Sequence, residues 1–169
     1  MSGTTRLANH IERTIDGPMW HGPALVEVLK GVGPDAARAR PLPAAHTIWE
    51  LVLHITAWAD IARLRLKGEA TADPAPQQDW PPVPAPGPNG PGSSSGASES
   101  DAAWRAAIDR LVDSHRQLAA DTRLLDEAML KTKVSGLEYT VEVLLHGIIE
   151  HGTYHGGQMA LLRKSDGLR

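Results

Sequence analysis

The stretch Leu144-Leu145-His146-Gly147-Ile148-Ile149-Glu150-His151-Gly152-Thr153-Tyr154-His155-Gly156-Gly157-Gln158-Met159-Ala160-Leu161-Leu162 decides the fold. Leu144, Ile148, His151, His155, Met159 and Leu162 follow one another at +4, +3, +4, +4 and +3. That is the period of a helix with one face turned to a core. It predicts a last helix running from near Thr140 to near Lys164. At 1.5 Å per residue, about 24 residues span roughly 36 Å. Two of the six core-facing positions are imidazoles. His151 and His155 are one turn apart, so both rings leave the same face of the helix.

Upstream, Thr47 and Glu50 have the spacing of a capping box, with His46 and Leu51 placed to act as a hydrophobic staple. They open a helix with Ile48, Leu51, Ile55, Trp58 and Ala62 on its apolar face, and His54 falls on that stripe. Ser98, Ser100 and Asp101 offer caps for a third helix, striped by Trp104, Ile108, Leu111, His115 and Leu118. Leu7, Ile11 and Ile15 mark a first helix, interrupted by Gly17-Pro18. A second piece, from about His21 to Lys30, carries Leu25, Val28 and Leu29 and ends at Gly31, Gly33 and Pro34. Val134 to Leu137 has the composition of a small hairpin, but no run of alternating strands and no internal repeat is present. The pattern predicts an all-α four-helix bundle, a single domain over residues 1–169, with a long connection between the second and third bundle helices.

That connection spans residues 69–99. Eight of the thirteen prolines fall in it (Pro74, Pro76, Pro81, Pro82, Pro84, Pro86, Pro88, Pro91), followed by Gly92-Ser93-Ser94-Ser95-Gly96. Proline cannot donate the bonds of helix or sheet, and the stretch has little apolar content to pack. It reads as a flexible loop, either a plain connection or a lid over a site, with Trp80 as the one large anchor that pins it to the body.

Composition narrows the chemistry. The chain has 169 residues, 41% hydrophobic and 22% charged, the balance of a soluble globular protein. The absence of cysteine excludes disulfides, iron–sulfur clusters, thiolate metal sites and a cysteine nucleophile. A net charge of −3 with no local basic run gives no support to nucleic-acid binding. No apolar stretch is long enough to span a membrane, and the first thirty residues lack the pattern of a signal peptide, so the expected location is the cytoplasm.

The eight histidines divide by position. His54, His151 and His155 lie on core faces of two helices, where an unpaired polar group costs about 1–3 kcal/mol and clustered protonated rings would repel. A divalent cation removes both problems by taking a lone pair from each neutral ring. An i, i+4 pair plus one ring from a neighbouring helix fills three coordination positions and leaves one open, as in catalytic sites. Three imidazoles suit zinc, nickel, copper and iron alike. His115 reads either as a locally satisfied core group, or as a residue supporting the metal ligands from behind or touching a substrate. His21, beside Trp20, is a candidate for the open side of the site. His10 and His146 lie off the stripes, and His46 is accounted for by the helix start. Gly152 and Gly156, one turn apart beside the ligand face, leave room for another helix or a partner subunit. The ligand helix has no H-E-x-x-H: Gly152 follows His151, so it supplies no protease-type base, and no G-x-S-x-G, phosphate loop or nucleotide fingerprint occurs.

Met19-Trp20-His21-Gly22-Pro23, His46-Thr47-Ile48-Trp49-Glu50-Leu51-Val52-Leu53-His54-Ile55 and the stretch from Leu145 to Arg163 together resemble the DinB-like (YfiT-like) superfamily of small four-helix metalloproteins. The resemblance covers most of the chain outside the Pro/Ser segment. It implies an up-down-down-up bundle, metal ligands at His54, His151 and His155, one divalent ion (zinc first, nickel or iron as alternatives) and a homodimer. It also implies kinship with S-transferases that use bacillithiol or mycothiol as cosubstrate. The chain departs from the family at Gly152-Thr153, where relatives often carry bulkier or acidic residues, and in the extended 69–99 segment.

The leading expectation is therefore a metal-dependent enzyme that activates a low-molecular-weight thiol for attack on a small electrophilic substrate. Because the chain has no cysteine, the sulfur would arrive with the cosubstrate. Arg63 or Arg65 on the His54 helix would meet its polar groups. Two alternatives stand beside it: a metal-dependent hydrolase using water, and a non-enzymatic metal-binding or stress-related module.

Overall fold

A computed structural model describes residues 1–85 and 94–165, with side chains from Glu99 onward in the second stretch. Among these residues there are seven α-helices and no strand: α1 Gly3–Asp16, α2 Leu25–Leu29, α3 Pro34–Arg38, α4 Ile48–Leu66, α5 Pro76–Asp79, α6 Ser94–Arg123 and α7 Val141–Ser165. The four long ones form the bundle. α1 and α4 each pack against both α6 and α7, so they sit on one diagonal and α6 and α7 on the other. None of the described helices is long and apolar enough to cross a membrane.

Local chemistry fixes the helix starts. The Thr47 hydroxyl accepts from Glu50 N at 3.2 Å while the Glu50 carboxylate accepts from Thr47 N at 2.7 Å, the reciprocal box the sequence predicts. Ser2 caps α1, and the Glu127 carboxylate, from a 3-10 turn over Glu127–Lys131, accepts from Gly3 N at 2.7 Å. α4 is buried on most of its circumference, from Ile48 and Trp49 through Leu51, Val52 and Ile55 to Ala62 and Arg65. One cluster of core residues gathers around Trp49, Ile55, Trp104, Leu111 and Met159. A second gathers around Leu7, Ile11, Leu118, Leu145 and Ile149.

Several expectations change. The second piece is helical only over α2; Met19–Gly22 is instead a tight turn, with Gly22 at φ 132° and Pro23 next. α6 is already helical at Ser94, so Ser98, Ser100 and Asp101 lie inside it and do not cap it; serine or aspartate inside a helix costs at most about 0.7 kcal/mol relative to alanine. The 69–99 segment is not loop throughout. It contains α5, with Pro76 in the first turn, and runs into α6, while its residues 86–93 lie outside the described residues. The small hairpin near Val134–Leu137 is a single antiparallel bridge, Lys133 with Thr140, closed by Gly136 at φ 76°.

The glycines of α7 separate into two kinds. A Cβ on Gly152 would meet the Thr14 methyl at 2.9 Å, and one on Gly156 would meet Leu25 at 3.0 Å, so these positions let α1 and α2 close on α7. Gly157 is exposed, and nothing lies within 4 Å of an added Cβ there. Gly152→Val is accordingly expected to destabilise by about 1–3 kcal/mol through overpacking, and Gly157→Ala to stabilise by about 0.5–1 kcal/mol through helix propensity. Thermal denaturation of the two variants should show shifts of opposite sign.

Candidate metal centre

α4 delivers one imidazole and α7 delivers two to the same point. The coordinating-capable ring nitrogens of His54, His151 and His155 lie within 4.8 Å of one another, and this is a group able to hold a metal ion. His54 and His155 are buried and His151 is half-buried. His151 Nε2 stands 2.9 Å from His54 Nε2. The rings meet edge to face, with centroids 4.8 Å apart for His54 and His151 and 4.5 Å for His151 and His155.

Hydrogen bonds on the far sides of two rings set their tautomers. His54 Nδ1 lies 2.7 Å from the Asp79 backbone carbonyl, which can only accept, so Nδ1 carries the proton and Nε2 offers its lone pair inward. His155 Nδ1 donates in the same way to Gln158 Oε1 at 2.6 Å. A carbonyl or amide oxygen behind each imidazole is the usual support of a metal-ligating histidine. Three neutral nitrogen donors at this spacing fit one divalent ion, with zinc–nitrogen bonds near 2.0–2.1 Å after small ring rotations.

Burial acts in the same direction. It lowers the pKa of His54, His151 and His155, reaching about 3 at His151, where the neighbouring His155 and His54 add to it. All three are neutral at pH 7, the form in which imidazole binds a metal.

The Pro-rich segment builds the roof of the site. Asp79 anchors it twice: its carbonyl accepts from His54, and its carboxylate Oδ1 accepts from Trp58 Nε1 at 2.7 Å. Trp80 is sandwiched between two imidazoles, stacking on His54 at 3.8 Å and on His46 at 3.6 Å. The anchoring role expected of Trp80 is thus played directly on one of the three clustered imidazoles. His46 takes part in this stack, with Glu50 3.4 Å from its Nδ1. Asp79, Trp58 and Gln158 were missed from sequence, although Gln158 lies one turn beyond His155 and Trp58 one turn beyond His54 on their own helices.

Beside the three histidines opens a cleft of about 660 Å³. Its walls are mainly apolar (Trp58, Val143, Leu144, Ile148, Tyr154), and Arg65, Asp73 and Tyr139 also line it. The two pocket candidates from sequence lie elsewhere. His21 lines a separate depression with Thr14, Leu25, Gly152 and Gly156, because the Met19–Gly22 turn and Pro23 carry it away from the ligand face of α7. His115 is buried on α6, donates Nδ1–H to the Leu111 carbonyl at 2.9 Å, and keeps Nε2 without a partner among the described residues. It stands behind the site and does not line the cleft. His10 is half-exposed and His146 exposed.

Burial lowers the pKa of His115 to about 4. A histidine whose pKa falls on folding is protonated more readily in the unfolded chain, so stability is complete above about pH 6.5 and declines as pH falls toward the folded values. For the ion-free protein that window runs from the unperturbed 6.5 down to about 4 for His115 and about 3 for His151. Its melting temperature should therefore fall progressively below pH 6.5, with a shallower slope in His115→Leu. An unchanged slope in that variant would show that His115 is not held neutral by the fold.

A family model described as the DinB superfamily matches residues 20–159, a span that contains all three clustered histidines and the roof residues. No curated protein and no solved structure matches the chain.

Proposed function

The chain belongs to the DinB superfamily, and from that premise we propose that it is a metal-dependent transferase acting on a small electrophile with a low-molecular-weight thiol. The observation that carries this reading is the make-up of the cleft: three neutral imidazole donors at one end, apolar walls and, among the described residues, no unengaged carboxylate beside the donors. The carboxylates lining it are Asp79, tied to His54 and Trp58, and the exposed Asp73, which lies by Arg65 and not beside the three imidazoles. A hydrolase would need, besides a metal-bound hydroxide, a proton donor for the leaving group. A thiolate that displaces a stable anion from a small electrophile needs none. The chain has no cysteine, so the sulfur comes with the cosubstrate.

A divalent ion held by His54, His151 and His155 would lower the pKa of a coordinating thiol toward neutrality. The protein's own contributions surround that effect. The Asp79 carbonyl and Gln158 hold two rings in the tautomer that presents Nε2. Trp80 covers His54 and limits water on that side. Trp58, Leu144 and Ile148 offer apolar surface to the electrophile, where a poorly hydrated thiolate attacks more readily. Zinc is the ion proposed, and bacillithiol and mycothiol are the cosubstrates to test first.

Conjugation of monochlorobimane by zinc-loaded protein should require bacillithiol or mycothiol and disappear in His151→Ala. Thiol-independent hydrolysis of an ester or amide by the same preparation, with no conjugation, would overturn the transferase reading in favour of the hydrolase.

A further inference from the structure

Arg65 follows His54 by eleven residues on α4, which returns it to nearly the same helix face about 16 Å along the axis. Trp58 lies between them, and all three line the one cleft. Arg65 is only 3% exposed. Nη1 donates to Tyr139 Oη at 2.6 Å, Nη2 donates to the Ala72 carbonyl at 3.3 Å, and Nε is buried without an acceptor among the described residues. The Trp58 and Tyr139 rings lie 5.3 and 5.9 Å from its guanidinium carbon.

What this cation lacks, among the described residues, is a buried counter-charge. Among the described residues the carboxylate within reach is Asp73, at 3.9 Å and itself 96% exposed, so solvent weakens the pairing. Two residues earlier Arg63 shows the ordinary arrangement, with Asp121 at 2.8 Å and a position outside the cleft. A guanidinium taken out of water with mainly neutral acceptors is costly unless an anion joins it, and the cleft is the open path by which one arrives.

We infer that Arg65 is the anion-binding end of the cleft, and that the site's ligand is an elongated thiol bearing a carboxylate. The sulfur goes to the histidine end, the apolar middle lies along Trp58, Leu144 and Ile148, and the carboxylate meets Arg65 beside the Tyr139 hydroxyl. Guanidinium suits this role because its planar N–H groups match a carboxylate. The inference rests on the thiol reading above and adds a charge requirement to it.

The test uses the full-length protein loaded with cobalt and titrated with 8-mercaptooctanoate or the neutral 8-mercaptooctanol, following the sulfur-to-cobalt charge-transfer band. The acid should bind about tenfold to a hundredfold more tightly than the alcohol, the range of a charge-assisted hydrogen bond. Arg65→Gln should bring that ratio to near one while leaving the alcohol's affinity in place, and Arg65→Lys should retain the preference. Equal affinities in the unaltered protein would overturn the inference and leave the thiol reading standing, and this comparison needs no variant to fold. If Arg65→Gln weakens both ligands equally, Arg65 is only a structural tie between α4, Ala72 and Tyr139, and the inference fails. If neither thiol perturbs the cobalt spectrum, the thiol reading fails. Calorimetry with octanoate and octanol then decides Arg65: selective octanoate binding upholds the anion end, and its absence overturns it.

Discussion

His151→Ala is expected to reduce zinc affinity by more than about a hundredfold, beyond the 10–100-fold that loss of an outer hydrogen-bond partner costs. His151 packs against both other donors, with its Nε2 2.9 Å from that of His54 and its ring centroid 4.5 Å from that of His155. Removing it leaves two imidazoles on different helices, with no other His, Cys, Asp or Glu completing a group of three among the described residues. The ion-free variant should fold as well as its parent, because it loses a ring whose protonated form burial disfavours, with a pKa of about 3. Circular dichroism of the ion-free variant and competition with a zinc chelator separate the two effects. Loss of helicity together with loss of zinc would mean that His151 is structural.

Zinc should also act on the fold itself. A ligand that binds only the native state stabilises it by about 4.1 kcal/mol when present at a thousand times its dissociation constant. For a chain of this size each kcal/mol moves the melting temperature by about 2–4 °C, giving a rise of roughly 8–16 °C. The rise has a structural source: the ion would join α4 to α7 and, through the Asp79 carbonyl on His54, fasten the roof segment to the bundle. His151→Ala and His155→Ala should each remove most of it. Protons compete for the same nitrogens only as pH falls to their folded pKa values, which burial lowers for all three and brings to about 3 at His151, so the zinc-dependent increment should shrink in that acidic range. An increment that persists in both variants would place the ion elsewhere.

The parts of this site that sequence reveals are those carried by helical period. His151 and His155 occupy positions of the α7 stripe, and His54 occupies one on α4, so three donors were legible before any coordinates. The capping box at Thr47 and Glu50 was legible for the same reason, being a local contact within one turn. The roof was legible only in part. Trp80 stood out as the anchor of a proline-rich segment that reads as a plain connection or a lid, but Asp79 reaches His54 through its backbone carbonyl, which no side-chain pattern advertises.

His21 went astray because a short turn and Pro23 reset the chain direction where apolar spacing alone suggested a longer helix. The start of α6 was misplaced because serine and aspartate serve as caps but are also tolerated on open helix faces. Arg65 carried a usable signal, eleven residues and three turns from His54 on one face, yet charge at a helix position ordinarily reads as solvated. Only its burial sets it apart from Arg63.

X-ray absorption at the zinc edge of the zinc-loaded full-length protein tests the central claim most directly. The account predicts three imidazole nitrogens at about 2.0–2.1 Å plus at least one lighter or exchangeable ligand, with the addition of a thiol replacing that ligand by sulfur at about 2.3 Å. A zinc shell closed by four protein ligands, or one unchanged in His151→Ala and His155→Ala, would contradict it.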